Sequence, residues 1–379
     1  MERIVIVGSG IIGLAHAITA AERGHRVRLL ERSARPLGAS VRNFGTLWPV
    51  GLPFGEERNQ ALAGVRKWKE LSALAGFKAD ACGSLSLSYR EESLCVLDEF
   101  ARSPEAVLEG FELLDAAEVL RRHPMASPDG LLGALYSPHE TCVYSRDAID
   151  ALVRYAVRIG VDVQFGRQVI AVHESAVETA DGAHYTFDRL VIAAGEDMRT
   201  LFPRELARAG LVRCQLQMMR SEPVAARVGA ICVSDLTLCH YPAFNGCPSL
   251  PALQDRMMEE MGEYIEKGIH VIAAQHGDGS FTLGDTHEYG EDFAPDYHSR
   301  HEKLILDYLA TFLCIPDLRI ASRWLGVYLK SPKGARQVVL HPRPNVTMVT
   351  AMGGLGMTLS WGLADRIVES WDAVPNSMA

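Results

Sequence analysis

No stretch of this 379-residue sequence reaches the ~18 uninterrupted apolar residues that a membrane span needs. The nearest candidate, at the start, is broken by Gly8, Ser9 and Gly10. It is followed by Glu22, Arg23 and His25 with no small-residue cleavage pattern, so it does not read as a secretory leader. A cytoplasmic chain with no integral membrane segment is expected. The eight cysteines (Cys82, Cys95, Cys142, Cys214, Cys232, Cys239, Cys247 and Cys314) form no CxxC pair and no Cys/His group with zinc-ligand spacing. They read as reduced, buried thiols, and no metal site is expected. Basic residues are in the minority, 38 Lys and Arg against 47 Asp and Glu, and they form no block. The net charge of −9 argues against a nucleic-acid partner. There is no internal repeat and no low-complexity tract.

What is present is ordinary globular material, 48% hydrophobic and 22% charged, in a chain long enough for two domains. Its most informative stretch comes first. An apolar run from Ile4 to Val7 feeds into Gly8-Ser9-Gly10-Ile11-Ile12-Gly13. A helical pattern of small residues follows and stops at Gly24. A β-branched run from Arg26 to Leu30 then ends on Glu31. Strand, glycine turn, helix, strand and carboxylate stand in the order of a dinucleotide-binding βαβ unit. Gly8 permits the turn, Gly10 lets backbone N–H groups approach a pyrophosphate, and Gly13 lets helix and strand pack closely. The helix N-terminus supplies positive potential, and Glu31 can accept ribose hydroxyls.

Further along, Gly38 to Gly45 reads as a loop, and about 57–74 as a helix. Strands are expected near 84–89, 161–165, 169–173, 176–178 and 189–193, with helices near 91–102 and 147–159. From Val212 strand-like pieces dominate (212–219, 230–233, 269–274 and 280–283), interrupted by a helix near 297–312. Asn245 to Leu253, with Gly246, Pro248 and Pro251, reads as a surface loop. A second strand–glycine–helix unit closes the chain: Val346 to Thr350, then Met352 to Thr358 with three glycines, then helical spacing of Leu359, Leu363 and Ile367.

Four segments together resemble the D-amino-acid oxidase-like FAD oxidoreductases, which include glycine and sarcosine oxidases and D-amino-acid dehydrogenases. They are the opening glycine turn with Leu29 to Arg32; Ala39 to Gly45, similar to the family's Ser-x-x-Asn-x-Gly loop; Arg189 to Asp197; and Arg323 to Gly326 with 345–369. The resemblance implies an α/β FAD-binding domain with a Rossmann-like βαβ unit, a parallel sheet and a small antiparallel meander. It also implies an α+β substrate domain on a mainly antiparallel sheet. Residues 1–80, 145–211 and 325–379 would form the first domain, and 81–144 and 212–324 the second. FAD contacts are implied at Gly8, Gly10, Ile11, Ile12, Gly13, Glu31 and Arg32; at Ser40, Arg42, Asn43 and Gly45; at Val169, Ala194 and Gly195; and at Gly353, Gly354, Leu355, Gly356, Met357 and Thr358. The last helix N-terminus can face the flavin and stabilise negative charge that develops during reduction.

The implied reaction is oxidation of the CH–NH bond of a small amine or amino acid by hydride transfer to flavin N5, with imine hydrolysis afterwards and electrons passed to O₂ or another acceptor. A 2-hydroxy-acid oxidase or a non-catalytic FAD-binding assembly factor are the alternatives. One departure bears on the substrate. Where glycine-oxidase-like members carry an arginine for the substrate carboxylate, this chain continues Val327-Tyr328-Leu329-Lys330. Tyr328, Lys330, His276, Arg42 and Trp48 are the candidate substrate contacts in its place. That departure, with Gly284 to Gly290, resembles a subgroup associated with aminophosphonate breakdown. A tetrahedral dianion suits several donors better than one planar fork.

Overall fold

The computed structural model describes residues 1–372; the last residues of the third expected FAD segment, 373–379, lie outside the described residues. The apolar runs read from the sequence form the middle of a six-stranded sheet. Strand β1 (Arg3–Val7) is followed by helix α1 (Ile11–Glu22) and strand β2 (Arg26–Glu31). β1 pairs in parallel with β2 on one side and with Arg189–Ile192 on the other. Asp162–Phe165 extends the sheet beyond β2, and Val346–Thr350 extends it beyond Arg189–Ile192. Only the outermost strand, Val338–Arg343, runs antiparallel. Strands covered on both faces need apolar residues throughout, and Ile4, Val5 and Ile6 are all buried.

Two glycines are forced at the first turn. Gly8 has φ +102°, and a Cβ there would lie 2.3 Å from the Ala193 carbonyl oxygen. A Cβ on Gly13 would lie 1.9 Å from the Gly8 carbonyl oxygen. Small buried residues of α1, Ala15, Ala17 and Ala20, let the closing helix Gly356–Asp372 pack beside it. A three-stranded antiparallel meander, Val169–Val172, Ala176–Thr179 and His184–Thr186, follows the first half of the sheet.

The second unit is a nine-stranded, mainly antiparallel sheet. Its longest ribbon pairs Val212–Ser221 with Ile320–Lys330, in a register that sets Cys214 opposite Tyr328 and Val212 opposite Lys330. The hairpin Ile272–Gln275 and Phe281–Gly284 lies beside it. This ribbon corrects the expected boundary at 324/325, which falls inside a strand: residues to Lys330 belong to the second sheet. The segment 81–144 is also split. Ser84–Ser88 and Gly133–Ser137 join the nine-stranded sheet, whereas Thr141–Val143 pairs with Thr46–Leu47 and Ala79–Asp80 in a small sheet of its own.

The loop expected over Asn245–Leu253 ends early, because the helix Leu250–Glu266 begins inside it. Pro251 sits in the first helical turn, where a missing N–H costs nothing. Glu99 anchors the helix start by accepting from the Ser249 N–H (3.0 Å) and hydroxyl (2.6 Å). Among the described residues no helix is long and apolar enough to cross a membrane.

Candidate active site

A cleft of about 390 Å³ runs along the C-terminal ends of the parallel strands and opens against the nine-stranded sheet. At one end Glu31 closes β2. Its Oε2 accepts from the Ser9 N–H (2.9 Å) and hydroxyl (2.8 Å), and its Oε1 accepts from the Ser33 N–H (2.9 Å). The carboxylate is thereby fixed at the cleft wall, 9% exposed. Arg32 lines the same end but pairs with Asp197 at 3.2 Å. Val169, Ala194 and Gly195 also line the cleft.

In the middle, Gly10, Ile11 and Ile12 present the start of α1. The Ser40 hydroxyl accepts from the Ile11 N–H at 2.9 Å, which seats the Ala39–Val41 turn on that helix. Asn43 is consumed in shaping this loop. Its amide donates to the Ala39 and Ser40 carbonyls and its oxygen accepts from the Gly45 N–H. Arg42 lines the cleft and donates to the Leu325 carbonyl at 3.1 Å. Three expected contacts stand behind the wall. Gly13 and Gly45 serve close backbone packing, Gly45 against the Val143 carbonyl. Thr358 accepts from the Trp48 N–H at 2.9 Å and so ties the closing helix to the loop that carries Trp48. Gly353, Gly354, Leu355, Gly356 and Met357 form the far wall, with φ +56° and +82° at the first two.

Of the candidate substrate contacts, Tyr328 and Trp48 reach the cleft beyond this glycine turn. The Tyr328 hydroxyl lies 3.5 Å from where a Cβ on Gly354 would be. Burial holds this phenol well above its usual range, so it stays protonated. The Trp48 indole N–H is buried and has no partner. His276 does not reach the cleft. Its Nε2 bonds the Thr282 hydroxyl at 2.7 Å, its Nδ1 faces the Cys142 thiol at 3.5 Å, and burial pushes it down to about 4. It is a satisfied core histidine. Lys330 is also not in the wall: it donates to the Tyr289 hydroxyl at 2.9 Å, behind the residues described next.

The sequence reading missed that neighbouring group. His240, Tyr241, His270, Asp285 and His287 line the cleft opposite the glycine turn. His240 and His270 stack with centroids 3.8 Å apart, and His287 lies 5.0 Å and 5.2 Å from them. Asp285 Oδ1 is 3.6 Å from His270 Nε2 and 3.9 Å from His287 Nδ1. The His287 Nδ1–H donates to the Gly268 carbonyl at 2.8 Å. Asp285 Oδ1 and His270 Nδ1 are buried without a hydrogen-bond partner. Burial lowers all three histidines, His287 to about 4 and the other two well below their usual value, and it raises Asp285 well above the carboxylate range. The shared direction of these shifts favours the uncharged form of each group. The one signal in the sequence was Gly284 to Gly290, already singled out. His270 shares strand parity with His276, but six residues of extended chain, roughly 20 Å, separate them, so only His270 comes to the cleft.

A family model described as FAD dependent oxidoreductase matches residues 3–370. The tRNA 5-methylaminomethyl-2-thiouridine biosynthesis bifunctional protein of Aeromonas hydrophila is 29% identical over 218 residues, which is 53% of this chain and 31% of that protein. This chain therefore spans only about a third of that relative. Two solved structures share the fold along its length. Glycine oxidase from Geobacillus kaustophilus has a TM-score of 0.77 at 19% identity, covering 100% of this chain and 97% of its own. Iminodiacetate oxidase from Chelativorans sp. BNC1 has a TM-score of 0.74 at 18% identity, with the same coverage.

Proposed function

The chain belongs to the FAD dependent oxidoreductase family, with FAD as its cofactor, and from that premise we propose that it oxidises the CH–NH bond of a small aminophosphonate. One observation carries the substrate class: among the described residues, the cleft beyond Tyr328 is walled by three imidazoles, one carboxyl and the Tyr241 ring, without an arginine. The arginines that line the cleft are Arg32, Arg42 and Arg167. Arg32 pairs with Asp197, Arg167 with Asp181, and Arg42 is held to the Leu325 carbonyl. A planar carboxylate fork is missing where a substrate anion must sit.

The residues fit the cofactor. Three backbone segments, far apart in sequence, face one continuous cleft, and glycines keep it free of side chains. A Cβ on Gly10 would come within 3.0 Å of the Ser40 hydroxyl. Glu31 would hold the ribose, the start of α1 and the Ala39–Asn43 turn the pyrophosphate, and Gly353–Met357 the flavin ring. When bound, FAD supplies two-electron oxidation of the C–N bond. The protein supplies placement and exclusion of water. Phe44, Leu216, Ile272 and Leu355 give the substrate end apolar walls, in which the Tyr328 hydroxyl and the Trp48 N–H are donors that stay protonated. Orientation of this kind lowers the barrier without any nucleophile on the protein.

The test is anaerobic bleaching of the flavin by a substrate panel. 2-Aminoethylphosphonate and its N-methyl derivative should bleach it faster than glycine, N-methylglycine or glycolate. Equal or faster bleaching by the carboxylates refutes the phosphonate reading.

A further inference from the structure

We propose that the near-parallel imidazoles of His240, His270 and His287, with the Asp285 carboxyl among them and Lys330 behind, form the receptor for the substrate's phosphonate group. The inference rests on the proposed reaction, and it names the residues that would select the substrate.

The geometry separates an anion from a metal ion. The three rings come from different elements: the end of the Asp235–His240 helix, the approach to the Ile272–Gln275 strand, and the turn after Phe281–Gly284. One nitrogen from each lies within 4.8 Å of the others. A zinc ion would sit about 2 Å from each nitrogen and in the plane of each ring. His240 and His270 tilt by only 30° with centroids 3.8 Å apart, so their planes do not meet at that reach. His287 tilts 21° from His270 and 36° from His240. Rings so aligned offer donors side by side. A phosphonate presents three acceptor oxygens side by side.

The buried atoms without partners point the same way. His270 Nδ1 and Asp285 Oδ1 need a hydrogen-bonding guest. His240 opens onto the cleft, so a guest can enter. The His287 Nδ1–H already donates to a carbonyl, so its Nε2 must take up a proton to serve an anion. The ionisable groups around the rings include Lys330 and Tyr328 from the Ile320–Lys330 strand, Cys214 opposite Tyr328, Tyr241 after the Asp235–His240 helix, and Tyr289 from Glu288–Gly290. Glu266, Lys267, Glu288, His298 and His301 flank the outer side of His287. Lys330 is the cation whose charge disfavours protonation of all three rings. A bound dianion reverses that balance by supplying two negative charges against the one ammonium. Burial disfavours the charged form of Asp285, and a carboxyl that keeps its proton donates to a phosphonate oxygen rather than repelling it. Phosphonate binding should therefore draw protons from solution.

The experiment uses the oxidised holoenzyme and three probes: methylphosphonate, methanesulfonate and acetate. Isothermal calorimetry at about pH 8.5, where ordinary histidine is neutral, is run in two buffers of different ionisation enthalpy. Methylphosphonate should bind at least about tenfold tighter than the other two, with net proton uptake. H270N and H240N should each weaken it by at least about tenfold and remove the uptake, with the flavin spectrum unchanged. Should H270N fail to fold, H240N carries the test, because its ring faces the open cleft. Unchanged methylphosphonate affinity in H240N overturns the receptor. So does a stoichiometric metal ion whose removal by chelator abolishes binding. Turnover of 2-aminoethylphosphonate with an unmoved KM in both variants refutes the receptor and leaves the reaction standing. Tight methylphosphonate binding by a parent enzyme that cannot oxidise the amine refutes the reaction and leaves the receptor.

Discussion

Glu31 offers the most quantitative handle on the cofactor site. Its carboxylate makes three hydrogen bonds, two at Oε2 from Ser9 and one at Oε1 from the Ser33 N–H. Each hydrogen bond to a charged group is worth about 1.5–3 kcal/mol. Glu31→Ala removes all three together with any bond to a ribose hydroxyl. Water enters the open cleft and recovers part of the loss. The Ser9 and Ser33 bonds exist with or without FAD, so their loss lowers stability; the ribose bonds set the cost to FAD binding, about 2–4 kcal/mol, or roughly 30- to 1000-fold in Kd. Glu31→Gln keeps the shape but points an amide at one of its backbone donors. It should therefore cost about half as much. Quenching of flavin fluorescence, titrated with apoprotein, measures both. FAD affinity within twofold of the parent in Glu31→Ala, alongside a lower melting temperature, would falsify the cofactor role and leave Glu31 a brace for the first turn.

Gly13→Ala should yield little folded, FAD-loaded protein, because its Cβ would stand 1.9 Å from the Gly8 carbonyl oxygen; a normal yellow protein contradicts that packing. His276→Asn should leave the KM for the amine within about twofold while lowering stability by about 1–2 kcal/mol, since the ring packs behind the wall and gives up its bond to Thr282. A tenfold rise in KM would return His276 to the substrate site. Burial lowers His16, His276 and His287 to about 4. Unfolded histidine takes its proton near 6.5 whereas these folded ones resist until about 4. Stability is thus full above 6.5 and falls as pH drops through that window. Urea midpoints across that range measure the slope, and His16→Leu should flatten it.

The cofactor half was legible because its information is local. Gly8 to Gly13 is one turn, and the chemistry of each glycine follows from its neighbours along the chain. Met352 to Thr358 could be read for the same reason. The helix Leu250–Glu266 was hidden by Pro251, which signals a break in most settings but fits a first turn. The substrate half was opaque for a different reason. His240, His270 and His287 share no spacing, and only the pairing of strands around them puts their rings together. Tyr328 and Trp48, read from the position of an absent arginine, line the cleft, whereas His276 and Lys330, read the same way, do not. His276 has the right strand parity and the wrong distance along it. Lys330 sits two residues past Tyr328, on the same face of the ribbon, but its ammonium turns to Tyr289.

The order of strands across the parallel sheet also sets a timetable for synthesis. Val346–Thr350, two strands away from β1, and the helix packed on α1 follow β1 by more than three hundred residues. At about 5–20 residues per second the ribosome takes on the order of tens of seconds to deliver them. Until then the Gly8–Gly13 turn has no opposite wall, and α1 shows bare alanines to solvent or to a chaperone. Cofactor capture is therefore a late event in the life of each molecule, and the nascent chain must survive the wait without it.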